Sequence, residues 1–450
     1  MRIVKAIMMA GALALAAGCS IYRDYQRPEV NTYADIYGSS DTTSIATIGW
    51  EDFFTDPQLK ALIKTGLENN ADYRIAGQKA LEAQASLRAA NLVWFPSLGF
   101  SPSAGITSSE ERYNGLVNNY SVPLNVSWEI DLTGKNLNNG RKAKAVLEQS
   151  EVYRKSVQTE LISSIAQCYY TLLKLDAQLR VSTSTAKNWK ENVRIMKAMK
   201  EAGMTNEASV SSTEANSYSI DASLFDLKYQ ITQTENTMAL LLGVTPRSFE
   251  RGRLKEAHLG GGLECGVPAQ LLSRRPDVQY AELELKKAYY DRAIAKAAFY
   301  PSLTLTGEAG WEKALTSPAG WLFSAGAGLV QPIFRQGKLR ANSKIAEARQ
   351  EEARISFEKS ILKAGTEVNT ALALCSSAKN KTDIRKGQIE ALESAVASTK
   401  ALMRHSESTY LEVLTAQQSL LSARLLQISD EYDALIGTIS LYKALGGGAN

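Results

Sequence analysis

The chain has 450 residues, enough for more than one domain, and its 51 basic and 47 acidic side chains leave a net charge of only +4. That balance gives no electrostatic case for a nucleic-acid partner. Only two histidines are present, His258 and His405, and Cys168, Cys265 and Cys375 lack any Cys-x-x-Cys spacing, so a zinc site or a His-based triad has almost nothing to build on. Nor is there a Gly-x-Ser-x-Gly elbow or a P-loop; no catalytic residue, cofactor or metal is expected, and the three thiols should be free.

Residues 1–18 read as an export signal, with Arg2 and Lys5 ahead of an apolar run, Ala6 to Ala17, that is too short to span a membrane. The small residues before Cys19 resemble the lipobox of bacterial lipoproteins, in which the Cys thiol is acylated, although Ala16 stands where Leu, Val or Ile is usual. Ser20, rather than Asp, resembles lipoproteins passed on to the outer membrane. An ordinary cleaved signal is the alternative. Residues 19–49 are polar and irregular and are expected to form an extended, lipidated segment rather than a domain.

The rest of the chain is an internal duplication, 50–245 and 269–450, joined by a connector, 246–268, that contains Gly260-Gly261-Gly262. Trp94-Phe95-Pro96-Ser97-Leu98 recurs as Phe299-Tyr300-Pro301-Ser302-Leu303, with Pro96 and Pro301 205 positions apart. Ile130-Asp131-Leu132-Thr133-Gly134-Lys135 recurs as Ile333-Phe334-Arg335-Gln336-Gly337-Lys338, 203 positions later. Each half runs in the same order: a helix (276–299 in the second half) ending at the proline, a β-hairpin (97–131 and 302–335), then long helices (137–242 and 337–445). Proline cannot continue a helix, so Pro96 and Pro301 mark helix-to-strand junctions. From Leu137 to about Ala202 there is no proline, and no glycine after Gly140. A helix of about 60 residues is on the order of 90 Å long, and its frequent charges exclude a membrane span, leaving a coiled structure in water.

The β-like stretches alternate. Val122, Leu124, Val126, Trp128 and Ile130 fall on one face of Tyr120 to Asp131, and similar patterns run through Ser302 to Trp311 and Trp321 to Gln331, most weakly through Ser97 to Thr107. Strands of about 9 to 11 residues with one apolar face suit a transmembrane barrel; a half-buried soluble sheet is the alternative, and the export signal favours the barrel. Four strands cannot close one, because an open edge in lipid leaves backbone groups unpaired. Strand count permits a dimer or a trimer.

Arg274-Arg275-Pro276-Asp277-Val278 and the Phe-Tyr-Pro-Ser-Leu run at 299–303 strongly resemble the outer membrane factor (TolC-like) family, in the lipoprotein branch of resistance-nodulation-division efflux systems. The resemblance implies a homotrimer with a twelve-stranded barrel in the outer membrane, continuous with an α-helical coiled-coil barrel in the periplasm. It implies a passive exit duct for small molecules, with a periplasmic adaptor protein and an inner-membrane transporter as partners. Pro276 and Asp277 are expected to start and cap a helix. In the family the periplasmic aperture is closed by residues opening the last long helix, which maps it onto Leu411, Glu412, Thr415 and Gln418; Thr415 and Gln418 stand where the family pattern has charges. The first repeat offers Ala208, Ser209, Ser212 and Ala215 at matching offsets, near Glu207 and Glu214. An exit duct for type I protein secretion and a non-conducting envelope spacer are the competing readings.

Overall fold

The computed structural model describes residues 24–28, 48–109, 115–260, 275–314, 317–404 and 410–448. The export signal, Cys19, Cys265 and His405 lie outside them. In chain order the elements are α1 (Trp50–Phe53), α2 (Pro57–Asn69), α3 (Ala71–Leu92), β1 (Ser97–Phe100), β2 (Ser103–Ser109), β3 (Gly115–Ile130), α4 (Lys135–Glu201) and α5 (Glu207–Leu242). A short 3-10 turn (Leu254–Glu256) precedes α6 (Pro276–Ala297), β4 (Ser302–Ala314), β5 (Ser317–Val330), α7 (Lys338–Arg404) and α8 (Tyr410–Ala444). Helices α4 and α7 have 67 residues each, about 100 Å of helix. Among the described residues, no helix is long and apolar enough to cross a membrane.

Contacts divide the chain into two compact units, and each draws on both halves of the duplication. Unit 1 comprises 1–30, 78–152 and 279–359; unit 2 comprises 31–77, 153–278 and 360–450.

Unit 1 holds one antiparallel sheet in the order β1-β3-β4-β5, with β2 also paired to β3. β1 and β2 are one strand interrupted: Phe100 pairs with Leu124 and Ser103 with Ser121, and between them Ser101 lies opposite Pro123 and Pro102 opposite Val122. Neither proline has an N–H to give, so the ladder breaks there, leaving one long bond from Ser101 N to the Pro123 carbonyl, 3.4 Å. Across β3 the same proline shapes β4. A Cβ on Gly310 would lie 2.7 Å from both Pro123 Cα and the Val122 carbonyl oxygen, so only glycine fits. The two strand-to-helix elbows turn through Gly134 and Gly337, both at φ 76°.

Unit 2 is centred on Phe53, Phe54, Leu59, Ile63, Ile162, Ile165, Tyr169, Leu172 and Leu173, all buried. Phe53 stacks on Tyr442 at 4.0 Å. Asp56 caps α2 by accepting from Gln58 N and Leu59 N, and its second oxygen accepts from the Tyr169 hydroxyl at 2.5 Å. The Cys168 thiol is buried, which pushes it up to about 11, and among the described residues it and Cys375 are free thiols.

The Arg275-Pro276-Asp277 motif is explained in this unit. Pro276 opens α6 as expected, but Asp277 lies inside the first turn and serves chiefly as a partner of Arg275. Arg275 is buried; its guanidinium grips Asp277 at 2.8 and 3.0 Å, reaches Glu367 of α7 at 2.5 Å, and donates to the Ala444 carbonyl at the end of α8 at 2.8 Å. One side chain thus ties together three helices and satisfies a helix-terminal carbonyl. Burial works to raise the Asp277 carboxyl, and Arg275 more than reverses this, leaving it below its ordinary value.

Candidate functional site

Two regions carry the features that the sequence singled out. The first is in unit 2, where α4 turns into α5. Along the far part of α4 the buried positions are Ser182, Ala186, Trp189, Asn192 and Met196, in steps of four, three, three and four. Along α5 they are Val210, Thr213, Ser217 and Ile220, in steps of three, four and three. This is the spacing of helices packed along a common seam. Ala186, Trp189 and Ile220 form one apolar cluster with Leu414 and Leu421 of α8, and Tyr410 packs partly against it. The buried Asn192 is satisfied across the seam, its Nδ2 donating to Gln417 Oε1 at 2.7 Å. The turn is capped at both ends: Gly203, at φ 72°, closes α4, and Asn206 accepts from Ser209 N to start α5.

Leu411, Glu412, Thr415 and Gln418 face away from that cluster, and all four are exposed, Leu411 by 62%. Leu411, Thr415 and Gln418 follow the i, i+4, i+7 rule and make one stripe. Thr415 Oγ1 donates to the Leu411 carbonyl at 2.9 Å, so its hydroxyl is engaged within its own helix. In the first repeat, Glu207 pairs with Lys200 and Glu214 with Lys197, which draws both acids onto α4. Sequence reasoning missed the Asn192–Gln417 bond. The signal was available: Asn192 occupies a seam position on the same phase as Trp189 and Met196.

The second region is the sheet of unit 1. Its register places Val122, Leu124, Val126, Trp128 and Ile130 of β3 beside Trp311, Ala309, Gly307, Leu305 and Leu303 of β4, and these beside Trp321, Phe323, Ala325, Ala327 and Leu329 of β5. One face is therefore continuously apolar. The opposite face carries Asn125, Ser127, Glu129, Thr304, Thr306, Glu308 and Ser324. Leu98, Phe100, Val122, Leu124, Trp321, Phe323 and Leu329 are exposed on the apolar face, far more hydrophobic surface than a soluble sheet leaves bare. The outer edge of β1 and β2 and the outer edge of β5 pair with no other described strand.

Aromatic side chains gather at both ends of the apolar band. Trp94, Phe95, Phe299 and Tyr300 lie at the helix–strand junctions beside Pro96 and Pro301, and Tyr120, Trp311, Trp321 and Phe323 lie toward the β4–β5 hairpin. The ten residue steps from Pro301 to Trp311, at the strand rise and tilt usual for a barrel, span about 25 Å, the height of a lipid-facing band. Among the described residues no group of three or more His, Cys, Asp or Glu is placed to hold a metal.

Residues 62–244 and 267–447, one stretch in each half of the duplication, match the family described as Outer membrane efflux protein. The chain is 30% identical over 456 residues to the cation efflux system protein CusC of Escherichia coli O157:H7, covering 97% of each chain. It is also 30% identical over 457 residues to the antibiotic efflux pump outer membrane protein ArpC of Pseudomonas putida, covering 96% of this chain and 93% of that one. A crystal structure of CusC, from a study of transmembrane channel formation, superposes with a TM-score of 0.85 at 28% identity, covering 95% of this chain and all of the other. The protein belongs to the outer membrane efflux protein family. Its role is that of an outer-membrane channel in a tripartite efflux system, and it is not an enzyme.

Proposed function

We propose that three copies of the chain close one twelve-stranded barrel in the outer membrane, and that the resulting channel is a passive exit duct for small molecules such as drugs. The observation that carries this is the sheet of unit 1, with its bare apolar face, paired aromatic belts and two open edges. Unpaired edges in lipid cost several kcal/mol per backbone group, and only strands from further copies remove them. Relatives at equal identity are named for cations and for antibiotics. Cargo is therefore set by the inner-membrane transporter and periplasmic adaptor that dock with the channel rather than by the channel wall.

The aperture belongs to the Leu411 stripe. A ring of Leu411 beside a ring of Glu412 would exclude water and favour cations, and partner docking would shift the helices between packed arrangements. Cys19 is the acylated, outer-membrane anchor. Two ion pairs support it: Asp24 with Arg141 at 2.7 Å and Arg27 with Glu282 at 3.3 Å hold residues 24–28 against α4 and α6 of unit 1. From Asp24, the chain back to Cys19 reaches at most about 17 Å. Native mass spectrometry and planar-bilayer recording of the purified protein test the reading together. A trimeric mass with unitary conductance is expected; a dimeric barrel, or a trimer that never conducts, would refute it.

A further inference from the structure

The duplication supplies its own control for the two elbows where strands enter long helices. In the first, Lys135 is paired with Glu129 at 2.9 Å, Arg141 with Asp24 at 2.7 Å, and Asp131 accepts from Leu137 N at 2.9 Å. Ile130 and Asp131 are half-buried. In the second, shifted by 203 positions, Pro332 replaces Glu129, Phe334 replaces Asp131 and Arg335 replaces Leu132, while Arg340 replaces Leu137 and Lys344 replaces Arg141. Residues 129–141 carry two acids and two cations, net 0; residues 332–344 carry Arg335, Lys338, Arg340 and Lys344 and no acid, net +4. None of these four cations forms an ion pair with a described residue, and all four are exposed. Ile333 and Phe334, just ahead of them, are 96% and 81% exposed.

We propose that this second elbow binds the head groups of anionic phospholipid in the periplasm-facing leaflet. The inference rests on the barrel reading above, which places the elbow, four residues past the lipid-facing Leu329, at the head-group level. Ile333 and Phe334 enter the acyl boundary, and the four cations follow at the charged surface. An apolar pair followed by uncompensated cations is the chemistry that separates an anionic from a zwitterionic surface, and a cation near such a surface gains roughly five-fold in binding. The first elbow, with its cations already neutralised, lacks the preference.

The test uses native mass spectrometry of the full-length protein with phosphatidylglycerol and phosphatidylethanolamine of matched acyl chains. Wild type should retain phosphatidylglycerol preferentially, and the R335Q/K338Q/R340Q/K344Q variant should lose that preference by about tenfold or more, with its oligomeric mass unchanged. Neutralising Lys135 and Arg141 should leave it intact, and soluble glycerol 3-phosphate should not displace the lipid. Equal loss in both variants, displacement by glycerol 3-phosphate, or dissociation of the oligomer in the elbow variant would overturn the proposal, the last by assigning the cations to a neighbouring copy. Wild type that inserts into liposomes without head-group preference overturns this inference alone. Failure to insert overturns the barrel reading with it.

Discussion

Single residues divide here into those that close a structure and those proposed to line an opening. Arg275 closes one: its loss strands two carboxylates and a helix-terminal carbonyl together. Because Asp277 and Glu367 remain more than a third open to water, the cost of Arg275→Gln should be on the order of 2 to 3 kcal/mol rather than that of a fully buried pair. The expected readout is a lower melting temperature in detergent, and an unchanged one would remove Arg275 from the role of clamp. The pair's contribution should be complete above the ordinary carboxylate pKa and fade as pH falls through the depressed Asp277 value, so the Arg275→Gln deficit shrinks in acid.

On the proposed aperture, Leu411→Ala should raise bilayer conductance without changing the melting temperature, because Leu411 is exposed, while Glu412→Gln should mainly reduce cation selectivity. Gln417→Ala should do the reverse, leaving Asn192 buried without its acceptor at a cost of about 1 to 3 kcal/mol. If Leu411→Ala left conductance unchanged while Gln417→Ala opened the channel, the constriction has been assigned to the wrong face. Thr415→Val in particular should conduct as wild type does, because the threonine hydroxyl is engaged within its own helix.

At the scale of elements, helix content and strand alternation were legible because each follows from period alone. Lys135–Glu201 lacks proline, and Val122 to Ile130 alternates without a fault, so nothing competed with the reading. What period does not encode is pairing. The break between β1 and β2 arises where Pro102 and, opposite Ser101, Pro123 remove neighbouring donors from one ladder, and the need for glycine at 310 arises from a strand 187 positions away. For the proposed aperture, the sequence offered a stretch of α8 and not a phase. Which of Gln417 and Gln418 turns inward depends on helix rotation, which a one-residue error of phase reverses. Gly310→Val should therefore disturb β3–β4 pairing and lower the yield of heat-resistant oligomer, whereas the same change at Gly99, where a Cβ meets nothing within 4 Å, should be tolerated. Equal yields would show that the close approach relaxes without loss.

For the whole molecule, the proposed reading has two anchors acting on one surface, and they are unequal. An acyl chain contributes marginal binding, while a barrel buries apolar side chains along every strand. Cys19→Ser should therefore lose the lipid yet still yield membrane-embedded oligomers, measured by fractionation and gel mobility; complete loss from the membrane would reverse the ranking of the anchors. The open-edged sheet also has a genetic consequence. If each wall of the pore is shared between copies, a cell making equal amounts of sound and defective chains builds fully sound trimers in only about one case of eight, ½ × ½ × ½. Lesions that spoil the aperture but spare the strand edges should thus be dominant over the normal allele, whereas lesions that prevent edge pairing should be recessive, because such chains never enter the ring.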